Sequence, residues 1–181
     1  VPFYVCPGTS SWNALVGRTD NMRENINQAV IHGLANGAAG ILITDWGDNG
    51  HWQPLSVSMA GFAYGAAAAW NLTGCESLDL AAALDAFVYR DSDGVMGAVT
   101  LELGNVYQIV GPPHINGQLL AYGLQRKQAD IADMVTRMEA WGGATADVSH
   151  ETLRRALQTI ETSAARISHH RLPRPDPHVI P

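Results

Sequence analysis

The residues from Gly40 to Pro54, GILITDWGDNGHWQP, constrain the fold of this chain more than any other stretch. They begin with four consecutive apolar or β-branched residues, 41 to 44, which lack the polar alternation of a strand with one face in water. Such a run predicts a strand buried on both faces, as in a parallel sheet. Because parallel sheets carry their chemistry on the loops that follow the strands, we expect functional residues directly after residue 44.

The loop after this predicted strand holds five candidate binding residues, which are Asp45, Trp46, Asp48, His51 and Trp52. Glycines at positions 47 and 50 allow the backbone to turn sharply and keep these side chains together. A large aromatic ring beside a carboxylate suits a polar ligand with apolar faces, of which carbohydrate is the leading example. The alternative is structural, with the Trp closing the end of a core and Asp-Asn-Gly forming an ordinary turn.

A second buried strand is predicted from Pro2 to Pro7, and a helix follows it. The helix is expected to begin near Asn21, which lies three residues before Glu24 as in a capping box, and to end at Gly37. Strand, helix and strand form a βαβ unit, whose right-handed crossover makes the two strands parallel.

The crossover also places the loops that follow the two strands together at the carboxyl end of the sheet. Trp12 and Asn13 follow the first strand, and we therefore expect them to approach Trp46 and Asp48. The two loops would then share one cleft lined by aromatic and polar groups.

Helices account for the rest of the chain. Residues 57 to 70 are rich in Ala and Gly, a composition typical of a helix packed closely against a neighbouring element. From residue 77 onward no strand is predicted, and amphipathic stripes indicate helices, including one from about 120 to 141 and a last one from about 149 to 167. The stripes comprise Leu80, Leu84, Phe87 and Val88, then Met96, Val99, Leu103 and Val106, and finally Leu153, Leu157, Ile160, Ala164 and Ile167.

Composition restricts the class of protein. A hydrophobic content of 46% with only 15% charged residues excludes a disordered chain. The net charge of -6 leaves no basic face for nucleic acid and argues against an anionic membrane surface, so neither partner is expected. Cys6 and Cys75 have neither the spacing of a metal site nor the density of a disulfide scaffold, and they do not indicate a cellular compartment.

Two groups of side chains invite comparison with metal ligands. Asp45, Asp48 and His51 are spaced by three residues, but they do not match the Ca²⁺-loop pattern, and a hydrogen-bonded turn explains them. His169 and His170 lie in a Pro-rich tail and are interpreted as solvated. The sequence therefore predicts neither a metal ion nor a cofactor.

Two parallel strands alone would expose long unpaired edges, so more strands must complete the sheet. Alternating β and α steps followed by helices predict an α/β fold, in which the C-terminal two β/α units of a (β/α)8 TIM barrel precede an all-helical C-terminal segment. We expect the barrel portion to cover residues 1–74, the helical region 75–168 and the Pro-rich tail 169–181. Because the chain begins at Val1 without a Met and its first residues already look like a buried strand, we expect a fragment, whose remaining strands come from a missing upstream barrel segment or from another copy of the chain.

The block TDWGDNGHWQPLSVSMAGFAYGAAAAW, with FYVCPGTSSWNALVGR before it and DAFVYRDSDGVMGAVTLELGNVY after it, resembles the C-terminal part of bacterial glycoside hydrolase family 20 proteins, the β-N-acetylhexosaminidases and their relatives. The resemblance covers roughly residues 1 to 125. It implies that Trp46 forms a wall of the pocket for the terminal sugar and that Asp48 binds sugar hydroxyls, in the family's Trp-x-Asp pattern. The preceding strand departs from the family's Tyr-x-Asp pattern, since Cys6 follows Tyr4 at the Asp position, and the resemblance leaves Trp12 or Asn13 to contact the acetamido group.

The resemblance also implies which chemistry lies elsewhere. Family members hydrolyse their substrate with its own acetamido oxygen as nucleophile, assisted by an adjacent Asp-Glu pair. No Asp-Glu dipeptide occurs in the 181 residues, so no catalytic residue is predicted here. The implied function is the C-terminal portion of a glycoside hydrolase that removes terminal N-acetylhexosamine. Two alternatives stand beside it, a noncatalytic carbohydrate-binding relative and a helical interaction module with a decayed barrel remnant.

Overall fold

The computed structural model describes residues 1–48, 50–110, 116–125 and 149–171. Its elements are β1 (Tyr4–Val5), α1 (Thr19–Ala35), β2 (Gly40–Ile41), α2 (Leu55–Trp70), α3 (Leu72–Cys75), α4 (Leu80–Leu84) with a π-helical turn (Asp85–Tyr89), α5 (Met96–Leu103), α6 (Val106–Val110), α7 (Leu119–Gln125) and α8 (His150–Ser168). As predicted, no strand follows residue 77 in the described part of the chain. The predicted helix from 120 to 141 lies outside the described residues beyond Gln125, and so does the tail beyond residue 171. Within these ranges no helix is both long and apolar enough to cross a membrane.

The two strands pair in parallel, as the βαβ pattern predicts. Their hydrogen bonds continue past the short regular segments, because the N–H of Thr44 donates to the carbonyl of Pro7 and the N–H of Thr9 donates to the carbonyl of Thr44, both at 2.9 Å. The last bridge joins Gly8 and Thr44. The loops after both strands therefore leave the sheet together at its carboxyl end, where the functional residues were expected.

Helices cover one face of this sheet. Ile41 and Ile43 pack against the core beneath α1 and α2, whereas Tyr4 and Leu42 on the strands are 61% and 57% exposed. The prediction of a strand buried on both faces is therefore wrong for the described residues. Its apolar run is present, but Leu42 remains more than half exposed.

The core between the sheet and the helices explains the small residues of α2. Its buried members are Met22, Ile26, Val30, Ala60, Tyr64, Ala68, Cys75, Leu80 and Leu84. A Cβ on Gly61 would lie 2.6 Å from Cα of Thr9, and one on Gly65 would lie 2.5 Å from Cδ1 of Ile43. Because the backbone of Thr9 cannot move aside, glycine at position 61 is what allows α2 to approach this closely, whereas the Ile43 side chain could adjust to a Cβ at position 65.

The start of α1 differs from the predicted capping box. The helix begins at Thr19, and Arg18, which precedes it, makes no side-chain cap. The first three N–H groups, of residues 19, 20 and 21, donate instead to the carbonyl of Gly104, Oδ1 of Asn105 and Oη of Tyr107, at 2.9, 3.0 and 3.1 Å. The cap predicted at Asn21 is wrong because residues distant in sequence supply the acceptors that a helix start requires.

The later helices form a second hydrophobic core, and polar side chains join α8 to α5. Val106, Val110 and Ala156 are buried together, which packs α6 against α8. The hydroxyl of Ser163 and the guanidinium of Arg166 both donate to Oε2 of Glu102, at 3.2 and 2.8 Å. The predicted last helix is confirmed, and its N-cap is Ser149, whose hydroxyl accepts from the N–H of Thr152 at 3.1 Å.

In two of the predicted apolar stripes, some residues that were expected to be buried are exposed to solvent. Phe87 is 85% exposed although Leu84 is fully buried. Phe87 lies in the π-helical turn, which has more residues per turn than an α-helix, so each residue rotates less about the axis and Phe87 does not fall on the buried side. On α8 the buried residues are Ala156 and Ser163, while Leu157 is half exposed.

Candidate functional site

Asp45 lies directly after the strand ladder and is the centre of a hydrogen-bond network. Its Oδ1 accepts the hydroxyl protons of Thr9 and Ser11, each at 2.6 Å. The hydroxyl of Ser58 on α2 lies 2.9 Å from that of Ser11. Because Ser11 has only one proton and donates it to Asp45, Ser58 is the donor of that bond. The network joins the loops after both strands to the first turns of α2.

Two further side chains fold the end of the loop back onto this network. Nε2 of His51 lies 3.2 Å from Oδ2 of Asp45, and since an ionised carboxylate only accepts, the imidazole donates from Nε2. Gln53 is buried, and its amide donates to the hydroxyl of Ser11 at 3.3 Å. The segment from 45 to 53 is thereby fixed at both ends.

The pKa of Asp45 lies below its ordinary value. Burial raises this pKa, but the hydrogen bonds from Ser11, Thr9, His51 and Ser58 favour the charged form and together outweigh burial. The side chain is only 13% exposed, so its negative charge accepts hydrogen bonds from neighbouring side chains of the protein. Asp45 therefore positions the loop and offers little surface to a ligand.

The remaining loop residues are presented to solvent. Trp46 and Trp52 are 56% and 59% exposed, and the indole N–H of Trp46 donates to the hydroxyl of Thr44 at 2.9 Å. The exposed carboxylate of Asp48 makes no hydrogen bond or ion pair with the described residues. This part of the loop offers two aromatic surfaces and one available carboxylate.

Gly50 is needed for this arrangement of the loop. Its φ of +92° is the left-handed region that glycine tolerates. A Cβ at this position would also lie 3.0 Å from Nε1 of Trp52, so the indole packs directly over the glycine backbone. The glycine predicted to allow a sharp turn therefore also leaves space for an aromatic ring.

Trp12 and Asn13 occupy the interior of the neighbouring loop, with 8% exposure each. The ring of Trp12 lies against Gly8, and the guanidinium of Arg18 lies 5.3 Å from the ring centroid. The side-chain amide of Asn13 donates to the carbonyl of Asn116 at 3.1 Å. The structure thus gathers five of the predicted residues on one loop, and it places these two inside the adjacent one.

The positioning residues Thr9, Ser11, Gln53 and Ser58 do not stand out in the sequence. The only local signal is the hydroxyl-rich run Gly8-Thr9-Ser10-Ser11 at the end of a predicted strand, which is where a parallel sheet gathers polar groups. Ser58 carries no such signal, since it lies in an Ala- and Gly-rich helix.

A cleft of about 560 Å³ lies beside α4, apart from the loop after β2, and its lining includes Asp79, Asp85 and Asp91. Asp79 accepts the N–H of Ala82 at 2.9 Å, and Asp85 accepts the N–H of Gly97 at 2.6 Å. Because Asp79 and Asp85 already bind backbone groups of the helix ends, these two carboxylates stabilise the helices.

Among the surfaces of the described residues, the loop from 45 to 53 combines exposed aromatic rings with an available acid and a rigid support. Exposed aromatic rings beside a carboxylate suit a polar ligand with apolar faces. Comparison of this chain with protein-family models, with curated proteins and with solved structures finds no match.

Proposed function

We propose that this chain is the C-terminal portion of a glycoside hydrolase that removes terminal N-acetylhexosamine residues. It contributes sugar-pocket residues, and the catalytic Asp-Glu pair comes from other barrel strands. The observation that carries the proposal is the loop after β2, where Trp46 and Trp52 are more than half exposed beside the available carboxylate of Asp48.

The chemistry of a pyranose fits these groups. One ring face presents C–H groups, which an indole covers, and the rim presents hydroxyls, which a carboxylate accepts. In the proposal Trp46 stacks on the sugar, Asp48 binds its hydroxyls, and Trp52 and His51 border the same site. Asp45 supports the loop from beneath.

The exposed face of the sheet supports the proposal of additional strands. Tyr4 and Leu42 on that face are more than half exposed, and the described residues contain no third strand to pair with β1 or β2. Strands added at these edges and closed into a barrel would bury the apolar side chains on this face, and they would carry the catalytic carboxylates. These strands come from an upstream barrel segment or from another copy of the chain.

The absence of an Asp-Glu pair from the 181 residues favours one alternative, a noncatalytic carbohydrate-binding relative. Such a protein would bind the sugar but would not hydrolyse it even after further strands complete the sheet. A helical interaction module, the remaining alternative, would bind no sugar in either state.

The proposal is tested by titrating the chain with N-acetylglucosamine while monitoring the indole N–H signals by NMR. We expect the signals of Trp46 and Trp52 to shift. Losing a hydrogen bond to a charged group costs about 1.5–3 kcal/mol, so Asp48→Ala should weaken binding roughly tenfold or more, and Trp46→Ala should weaken it at least as much. Trp70→Ala is the matched control, because Trp70 is 93% exposed at the far end of α2.

Equal affinity in the parent chain, Asp48→Ala and Trp46→Ala, with each variant folded, would show that the site is not on this loop. A chromogenic N-acetylhexosaminide distinguishes the two carbohydrate functions. Hydrolysis should be absent for the isolated chain and should appear when the strands that supply the Asp-Glu pair are added. Binding without hydrolysis in that completed protein would identify the noncatalytic alternative.

A further inference from the structure

A second cluster of side chains lies far along the chain from the proposed sugar loop, where the end of α8 meets the turn before α5. Nε2 of His170 lies 2.9 Å from Oδ1 of Asp91, and Nδ1 of the same ring lies 3.7 Å from Oδ2 of Asp93. One potential ligand atom from each of the three residues lies within 4.8 Å of the other two. The sequence interpretation of His170 as a solvated tail residue is wrong, since its side chain is only 7% exposed.

Nε2 of the buried His170 imidazole lacks a hydrogen-bond partner. It lies 2.9 Å from Oδ1 of Asp91 but makes no hydrogen bond with the described residues. A buried polar atom without a partner is costly, and native proteins rarely leave one. In the tautomer that carries its proton on Nδ1, Nε2 has a lone pair, and a cation bound by this lone pair and by Oδ1 of Asp91 would satisfy both atoms.

The carboxylate of Asp91 is held in place for such a group. Its Oδ2 accepts the N–H groups of Val95 and Met96, both at 2.9 Å, and its Oδ1 accepts the N–H of Asp93 at 3.0 Å. One lone pair on Oδ1 remains, and this oxygen is the one that faces His170. The oxygen cannot turn away without breaking the start of α5.

We propose that Asp91, Asp93 and His170 bind a divalent transition-metal cation, with Zn²⁺ the best-suited probe. Two ligand atoms at about 2.1 Å from a tetrahedral cation lie about 3.4 Å apart, so the 2.9 Å between Nε2 and Oδ1 needs to widen by only about half an ångström to admit Zn²⁺. Imidazole with carboxylates suits Zn²⁺ and disfavours Mg²⁺, which prefers oxygen ligands and water. Asp93 is 70% exposed, so the cation keeps positions open to water.

A cation here would connect two parts of the helical region. His170 follows the last turn of α8, and Asp91 caps the start of α5. The salt bridge from Arg166 to Glu102 already joins these two helices at 2.8 Å, and the metal would add a second attachment one turn further along α8. Because the ion binds the folded arrangement, it should raise the stability of the chain.

The test is calorimetric titration of the 181-residue chain with Zn²⁺, combined with thermal unfolding with and without the ion. We expect one site whose affinity falls about tenfold or more in His170→Gln and in Asp93→Asn. The matched controls are His169→Gln, the exposed neighbour of His170, and Glu76→Gln, an exposed acid elsewhere. Both controls should bind like the parent chain, and Mg²⁺ should not reproduce the Zn²⁺ stabilisation.

Asp91→Asn is left out of the comparison because Asp91 also caps a helix. If His170→Gln lowers stability even without metal, the solvent-exposed Asp93→Asn still measures the ligand contribution. Equal Zn²⁺ affinity in the parent chain and in Asp93→Asn and His170→Gln would overturn the site. An equal loss in His169→Gln would also overturn it, since binding would then depend on tail histidines in general.

Discussion

The carboxylate of Asp45 controls the shape of the loop that carries the candidate sugar contacts. Replacement by Ala leaves the hydroxyls of Thr9 and Ser11 without their acceptor in a buried position. Leaving buried groups unsatisfied costs about 1–3 kcal/mol. We expect Asp45→Ala to lower the free energy of unfolding by this amount, as measured by urea denaturation. An unchanged midpoint would show that the network does not stabilise the loop.

The same residue gives a pH-dependent contribution to stability. Its folded pKa is depressed below the ordinary value of 3.8, so the contribution is fully present above that value and is lost as the pH falls through the folded pKa. The difference in unfolding free energy between the parent chain and Asp45→Asn should be constant near neutral pH and should shrink under acid conditions. A difference that stays constant down to the acid limit would contradict the assignment.

At the residue scale the sequence predicts which loop carries the candidate site, but it does not predict which residues hold that loop in place. Trp46 and Asp48 follow a recognisable apolar strand pattern, and they lie on the loop where that pattern places them. Ser58 lies 47 positions from its partner Ser11. A contact of this kind depends on how closely α2 packs, and that information is absent from local spacing.

At the element scale, the close approach of α2 to the strands can be tested at one glycine. A Cβ at Gly61 would lie 2.6 Å from the backbone of Thr9, which cannot move aside as a flexible side chain can. Overpacking of this type costs about 1–3 kcal/mol, so Gly61→Ala should lower the thermal stability and should also disturb the Asp45 network next to Thr9. Thermal unfolding monitored by circular dichroism measures the effect.

Gly123 provides the control, because it lies in α7 with open space around the position of its Cβ. There the substitution by Ala gains helix propensity and should stabilise by about 0.5–1 kcal/mol. The two variants should therefore change stability in opposite directions. Equal effects would show that α2 does not pack as closely on Thr9 as the structure indicates.

Helices with a clear period were predictable, whereas their ends and rotations were not. The last helix was predictable because Ser149 caps it locally. The start of α1 was not, since its acceptors come from residues 104 to 107. The exposure of Phe87 also escaped prediction, because a π-helical turn changes the rotation without any composition that announces it.

At the scale of the whole molecule, the uncovered face of the sheet predicts self-association of the isolated chain. Leu42 and Tyr4 lie on strands that pair only with each other among the described residues. Exposed strand edges with apolar side chains template pairing with another chain. We expect light scattering to report species larger than a monomer, and Leu42→Lys to shift the distribution toward the monomer.

Phe87→Lys is the control, because Phe87 is exposed on the π-helical turn, outside the sheet. It should leave the distribution unchanged if the sheet is the contact. A parent chain that is monomeric and unfolds cooperatively would instead show that two strands suffice here, and the proposal of additional barrel strands would lose its structural support.

The distant capping of α1 also sets an order of events during protein synthesis. The helix ends at Ala35, yet an acceptor for its first turn is the carbonyl of Gly104, 69 residues later (104 minus 35). At a translation rate of about 5–20 residues per second, the ribosome needs roughly 3 to 14 s to supply that acceptor. For that interval the first N–H groups of α1 have only water as an acceptor. The start of α1 therefore gains its native acceptors only after the helical half of the chain has been synthesised.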